Sequence, residues 1–494
     1  MNKKVLEYCF WWPIKTLDTH EADTPPVMQI ARNIYATLVS EHILGNPEGI
    51  LAKSWIVSDQ GKEWRFKLKE NLRFDDGSLI TPEIVLMSFK RILWLTREEG
   101  LVLNSLLPEI QKWKSMREDS RGICIENVNQ LVFRFIKEPL GLFETISQPI
   151  YGIVHPKCFD RNGIWKEPFF SSASGQYSIS VANDRYIQIK NRYVFRNVKN
   201  APDEVRISWP YKEGDTVLSL LSERKVDLTV EHSFAIGKER FDEFLRQGIQ
   251  IVEEPPLRMH FVHLNYKREP FSKKILREMF RDQFLNLISI DPEYLSAGSE
   301  VDPSFIPKGG IGYVKFNLLD NPINIEINFK KKIEILFYPF SSDFKIQKSI
   351  ERIILNVIEN LGLDANVVHY SERSKAFDRM RNDDFDLIVR GSGILVHNPF
   401  ADLRMMFMSN LGAKIPDPSN KIKDLILQAE DEPCKHQREK LVIQINENIY
   451  EEAAIITFAH SSVLYLMNKN FDFSNYNLFA DPIEFRAIGW KNKN

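Results

Sequence analysis

The 494-residue sequence predicts an α/β protein of two or three packed units. Segments with helical and strand periods are interspersed along the chain rather than segregated. Residues 332–393 alternate strand, helix, strand, helix, strand, the order of a parallel α/β unit. The length, with 43% apolar and 12% aromatic side chains, exceeds what one hydrophobic core supports.

Each element has its own signal. "KVLEYCFWWPIKTLD" reads as a strand running into a loop. "PPVMQIARNIYATLVS" reads as a helix, with Val27, Ile30, Ala31, Ile34 and Leu38 at helical spacing and two prolines where a first turn tolerates them. Trp64, Phe66 and Leu68 alternate with charges, the period of a half-buried strand, and Asp76-Gly77 marks a turn. Thr81 is placed to cap a helix that opens on Pro82. "QLVFRFI", "ASGQYSI", "YIQIKNRYVF" and "EVRISW" supply further strands.

The proline pair in "VEEPPLRMHFVHLN" and the abrupt change into a new strand predict a crossover near Glu254 to Arg258. Beyond it, "FSKKILREMFRDQFLNLI" reads as a helix capped by Ser272. "KIQKSIERIILNVIENLG" carries one stripe of Ile346, Ile350, Ile353, Ile354, Val357, Ile358 and Leu361, stopped by Gly362. "ANVVHY", a helix over "SKAFDRMRN", and "DFDLIVRGSGILVHNPF" complete the alternation. The last run breaks into a Gly-Ser-Gly turn at a strand's carboxyl end, the side on which α/β units hold ligands.

Composition excludes several functions. Lys and Arg nearly balance Asp and Glu, 65 against 67, and no block of five like charges advertises a nucleic-acid surface. The four cysteines, Cys9, Cys124, Cys158 and Cys434, have no metal-like or disulfide-scaffold spacing. No apolar run approaches the roughly 20 residues of a spanning helix, and the stretch after Lys3-Lys4 is cut by Glu7, Pro13 and Lys15, so neither a membrane span nor a signal peptide is expected. HExxH, GxSxG and Walker patterns are missing, and the ten histidines are dispersed. Gly391 and Gly393 lead into an apolar exit without a third glycine, which fits close backbone approach better than a phosphate cradle. His369 and His397 read as structural, and Asp75-Asp76 and Asp383-Asp384 as turn chemistry. Trp11 and Trp12 end the first strand, where stacking on a ligand and packing on the rim both remain open.

"GILAKSWIVSDQGKEWRFKLKENLRFDDGSLITPEIVLMSFKR", Gly49 to Arg91, resembles the signature of the family 5 extracellular solute-binding proteins, the dipeptide-, oligopeptide- and nickel-binding components of ABC importers. The resemblance continues in order along nearly the whole chain. It takes in "TLDTH" (Thr16 to His20), "ASGQYSI" (Ala173 to Ile179), "VHLNYKREPFSKKILREMF" (Val262 to Phe280) and "NPF" (Asn398 to Phe400). It implies a two-lobed periplasmic-binding-protein fold of type II with an extra inserted domain. Lobe I would take residues 1–45, 167–256 and 455–494, the insert 46–166, and lobe II 257–454.

The resemblance also implies a cleft in which the end of the strand at Arg390 to Gly393 offers backbone to an extended ligand. The loop Ala22 to Pro25 would face it from the other lobe. The expected ligand-binding residues are Trp11, Trp12, Asp23, Thr24, Arg390, Gly391, Ser392, Gly393, Leu395 and His397. The tryptophans would stack, Arg390 would pair with an anion, and the glycine turn would hydrogen-bond through its backbone. Peptide-binding members place an Asp shortly before the Asn/Asp-Pro corner to meet the ligand's ammonium, whereas "GILVH" has no acid there. Nickel-type members also lack that Asp and carry a tryptophan-proline near the first strand end, which Trp12-Pro13 resembles.

The function expected is capture of a peptide-like or other small solute between closing lobes and delivery to a membrane permease. No catalytic residue, metal or cofactor is expected, nor a nucleic-acid partner, and the chain is expected to act as a monomer. Family resemblance implies a periplasmic or extracellular location, and the missing leader pattern motivates a cytoplasmic sensor on the same scaffold as the alternative.

Overall fold

The computed structural model describes residues 3–21, 25–40, 47–98, 101–195, 197–210, 216–233, 236, 238–296, 300–318, 332–338, 344–370, 373–393, 399–408, 415–468, 471–473 and 483–491. Asp23, Thr24, Leu395 and His397 lie outside them.

Two large sheets dominate. The first has seven strands in the order Gln250–Glu253, Val463–Met467, Leu228–His232, Val5–Cys9, Glu204–Ser208, Tyr186–Asn191 and Tyr177–Ala182. Val5–Cys9 runs parallel to both neighbours, and the other pairings are antiparallel. The second has five, Ala365–His369, Ile333–Phe337, Leu387–Gly393, Arg258–Leu264 and Ile455–Ser461. Its first three strands are parallel, as the alternation of residues 332–393 predicts. Helix Phe344–Asn360 covers it, with every residue of the predicted stripe at most 4% exposed. Each such side chain contributes roughly 1.5–3 kcal/mol of burial. Gly362 follows at φ +69°, the left-handed stop a glycine takes without strain. One expectation fails: helix Lys274–Ser289 begins one residue later than a Ser272 cap requires, so Lys273 holds the cap position and supplies no side-chain acceptor.

A four-stranded antiparallel sheet, Ala52–Ser58, Glu63–Leu68, Gln130–Arg134 and Ile123–Glu126, forms a third unit. Phe66 and Leu68 face its core, and Arg65 and Arg134 interleave with Glu63 and Glu126 on the outer face. Helix Pro82–Leu95 packs beneath, its first turn capped by Thr81, whose side chain accepts from the Ile84 amide. On the same helix, Arg91 is fully buried and reaches out of the unit. Its Nη1 and Nη2 donate to the Asp18 carboxylate at 2.7 and 2.6 Å, and its Nε donates to the Gly163 carbonyl at 2.7 Å. Phe159 and Trp165 stack over the guanidinium. The neighbouring seam is tied by the Thr19 hydroxyl on the Pro149 carbonyl and by the Ile153 amide on the Ala36 carbonyl.

The chain passes between the two large sheets twice. It leaves the first at Glu253 and enters the second at Arg258, across Pro255-Pro256, and it returns from Ser461 to Val463 through the single residue Ser462.

Asp18→Asn leaves a buried guanidinium without its counter-charge and is expected to cost about 3–5 kcal/mol, read as a fall in the urea midpoint. Replacing both partners with apolar residues is expected to cost less than the single change, since no charge is then stranded.

Candidate ligand-binding site

Strand direction places the predicted residues. Val5–Cys9 and Leu228–His232 run in parallel, so Trp11 and Trp12 emerge at the same edge as Glu231 and His232. That edge holds both crossings, because His232 pairs with Val463 and the Glu254 amide bonds to the Val463 carbonyl. In the second sheet, Gly393 at the end of its strand pairs with Arg258, the first residue past the other crossing. Both sheets therefore turn the carboxyl ends of these strands toward the crossings, the location at which open α/β sheets hold ligands.

Trp11 is half-buried between Phe10, Trp12 and His232, with ring centroids 5.1, 5.7 and 4.9 Å away. Among the described residues its buried Nε1 has no hydrogen-bond partner. The predicted stacking pair thus forms one aromatic group with a histidine that the sequence did not single out.

The Gly-Ser-Gly segment is not a turn. The strand continues through Gly393 in register with Arg258–His260, and neither glycine takes a positive φ. A Cβ on Gly391 would lie 3.4 Å from His260 Nδ1, whereas one on Gly393 would meet nothing within 4 Å. On its other edge, among the described residues, the strand pairs with Ile333–Phe337 at Leu387 and Ile388. Arg390, expected to pair with an anion, is 4% exposed, lies over Phe261 and Phe377, and donates through Nη1 to His263 Nδ1 at 3.2 Å. The structure thus gathers Arg390 to Gly393 in one strand end and Trp11 and Trp12 at another, both beside the crossings.

Sequence reasoning missed the buried polar groups at these joints. Glu231 is 2% exposed at the end of its strand, and Glu254 accepts from the Tyr465 hydroxyl. The Ser462 amide donates to Ser233 Oγ, and the Ser233 amide to the Ser462 carbonyl. His260 Nε2 lies 2.7 Å from Ser461 Oγ, joining the two strands that lead to the crossings. The available signal was an acid closing the apolar run "VDLTVE" and the second acid of "VEEPP". Burial holds His260 neutral, down to about 3, with His460 and Arg258 adding to the effect. Burial and then Arg390 keep His263 far below the usual imidazole range, which leaves its Nδ1 free to accept. Among the described residues no three His, Cys, Asp or Glu side chains gather as a metal-holding group, and no helix is long and apolar enough to cross a membrane.

Comparison with known proteins agrees with the fold. Residues 46–280 match the family described as bacterial extracellular solute-binding proteins, family 5 Middle. The nickel-binding periplasmic protein of Escherichia coli is 22% identical over 97% of this chain and 93% of its own length. The periplasmic oligopeptide-binding protein OppA of Salmonella typhimurium is 19% identical over 90% and 84%. Among solved structures, a periplasmic oligopeptide-binding protein of Borrelia burgdorferi superposes with a TM-score of 0.81 at 17% identity, covering 98% of this chain and 99% of the other.

Acid is expected to destabilise the protein through its buried imidazoles. His260 takes a proton near 6.5 once unfolded but only near 3 when folded. The unfolded state therefore binds the extra proton between those values, and stability falls as the pH drops below about 6.5. By pH 5 this residue alone accounts for about 2 kcal/mol. Urea midpoints at pH 7 and pH 5 check it, and His260→Gln is expected to narrow the difference.

Proposed function

The chain is a relative of the family 5 extracellular solute-binding proteins, and from that premise we propose that it is the solute-binding component of an ABC importer. It captures a small solute between two lobes and hands it to a membrane permease. The observation that carries this reading is the double crossing: two sheets joined only at 254–257 and Ser462 along the backbone, each turning aromatic or glycine-bearing strand ends to that joint. Hinge closure about such joints is the established way for two lobes to enclose a ligand.

In this reading Trp11 and Trp12 supply an aromatic wall, and the strand end at Gly391 to Gly393 supplies backbone groups to an extended, peptide-like solute. Arg390 sets the charge beneath that strand end. Asp23, Thr24, Leu395 and His397 belong to the loops proposed to complete the cleft. The lobes are proposed to follow the two large sheets, with the four-stranded unit as the insert carried by lobe I. Binding without turnover, a monomeric state and a periplasmic or extracellular location complete the proposal, the last supported by the periplasmic relatives.

Native mass spectrometry of the purified protein is expected to show a stoichiometric small solute, released intact on denaturation. Recovery of a chemically altered product would instead indicate an enzyme. Gly393→Ala should leave stability within about 0.5 kcal/mol, because the added Cβ meets nothing within 4 Å among the described residues. It should lower solute retention, and Trp12→Ala should weaken retention by about tenfold. Unchanged occupancy in both variants would place the solute elsewhere.

A further inference from the structure

The four-stranded unit, fastened to the first sheet's lobe by Arg91 and Asp18, also touches the second sheet's side of the molecule. Helix Val102–Leu106 packs against helix Pro399–Met408, and Val102, Leu106, Leu140, Phe400 and Ala401 line the seam. Across it, Lys137 Nζ bonds to Glu430 Oε2 at 3.0 Å and to Asp431 Oδ1 at 2.8 Å, both on helix Lys421–Asp431. Glu430 is itself held from its own side, since Arg404 Nη1 donates to its two oxygens at 2.6 and 2.8 Å. Burial works against the Lys137 charge, but the bonds to Asp431 and Glu430 outweigh it and hold the ammonium above its ordinary range.

The asymmetry of this network matters. If the lobes swing apart about 254–257 and Ser462, the four-stranded unit moves with the first lobe and Lys137 leaves its partners. Lys137, 28% exposed, and Asp431, 68% exposed, then pass into water, while Glu430, 10% exposed, keeps Arg404. No buried charge is stranded by opening, so the contact is made and broken at low cost.

We propose that Lys137, Glu430 and Asp431 form an electrostatic clasp through which the four-stranded unit holds the two lobes closed. The proposal rests on the hinge-bending reading above and assigns the inserted unit a role in setting the closed-to-open ratio. Since the clasp spans opposite charges near the surface, its hold weakens as salt shortens the screening length from about 10 Å at 0.1 M to about 3 Å at 1 M.

Small-angle X-ray scattering of the solute-free protein tests this at 0.1 M and 1 M NaCl, comparing wild type with Lys137→Met and Lys137→Arg. Wild type is expected to expand in high salt. Lys137→Met is expected to be expanded already at low salt, its closed-to-open ratio lower by about 5-fold, the effect of one or two partly exposed ion pairs. It should no longer respond to salt, and Lys137→Arg should restore the wild-type pattern. An unchanged thermal midpoint for Lys137→Met separates opening from unfolding. Two scattering forms in equal proportion in wild type and Lys137→Met would overturn the clasp while leaving the hinge intact. A single, salt-independent form in every protein would overturn both.

Discussion

The buried ion pair between Arg91 and Asp18 is the constraint on which the arrangement of this molecule depends. Both side chains are fully excluded from water, and the guanidinium spends its donors on one carboxylate and one carbonyl between two aromatic rings. A charge pair in such surroundings contributes little net stability, yet either partner alone would be very costly. Its effect is on geometry. It fixes the helix of the four-stranded unit against the segment that follows the first strand, the attachment that the proposed assignment of this unit to the first lobe requires.

From that follows the division of labour at the crossings. The first body presents Trp11, Trp12, Glu231 and His232, and the second presents the strand end Arg390 to Gly393. Backbone connection between them is confined to 254–257 and Ser462. Polar groups that would be expensive to bury alone are instead matched to each other at these joints, Glu254 with Tyr465 and His260 with Ser461. Each of these pairs lies within one body, Glu254 and Tyr465 on the first sheet and His260 and Ser461 on the second, so the groups stay matched on either side of the crossings.

Much of this was legible in the residues. Alternation over residues 332–393 announced the parallel sheet, the isoleucine stripe announced its covering helix, and the proline pair marked where the chain changes sheets. The resemblance set the second crossing at 454/455, whereas the strand Ile455–Ser461 still belongs to the second sheet. That crossing was not legible from periodicity, for a physical reason. "IITFAHSSVLYLM" is buried on both faces throughout, so no alternation shows that its halves belong to different sheets. The Gly-Ser-Gly segment read as a turn because glycine is cheap in turns, yet the ladder with Arg258–His260 overrides that preference. The tryptophans and the glycine strand of the candidate site lie at the strand ends where the sequence had put them. Glu231 and His260 were hidden, because a lone acid or histidine in an apolar run gives no hint of the partner that justifies its burial. Arg390 was found as a charge at a strand end, but strand parity, which turns it inward toward Phe377, could not be judged without knowing which face the neighbouring helix covers.

Ser462 is one residue long as a linker, with ladder-locked neighbours on both sides. At this crossing any swing between the halves has to be taken up by a few torsion angles around one alpha carbon, with the rest absorbed across 254–257, so the joint behaves as an axle rather than a tether. An axle fixes the direction of travel: the halves can pivot about that point but cannot slide past one another. Solute would then enter from the side opposite Ser462, and the mouth of the cleft would widen fastest at the point most distant from it.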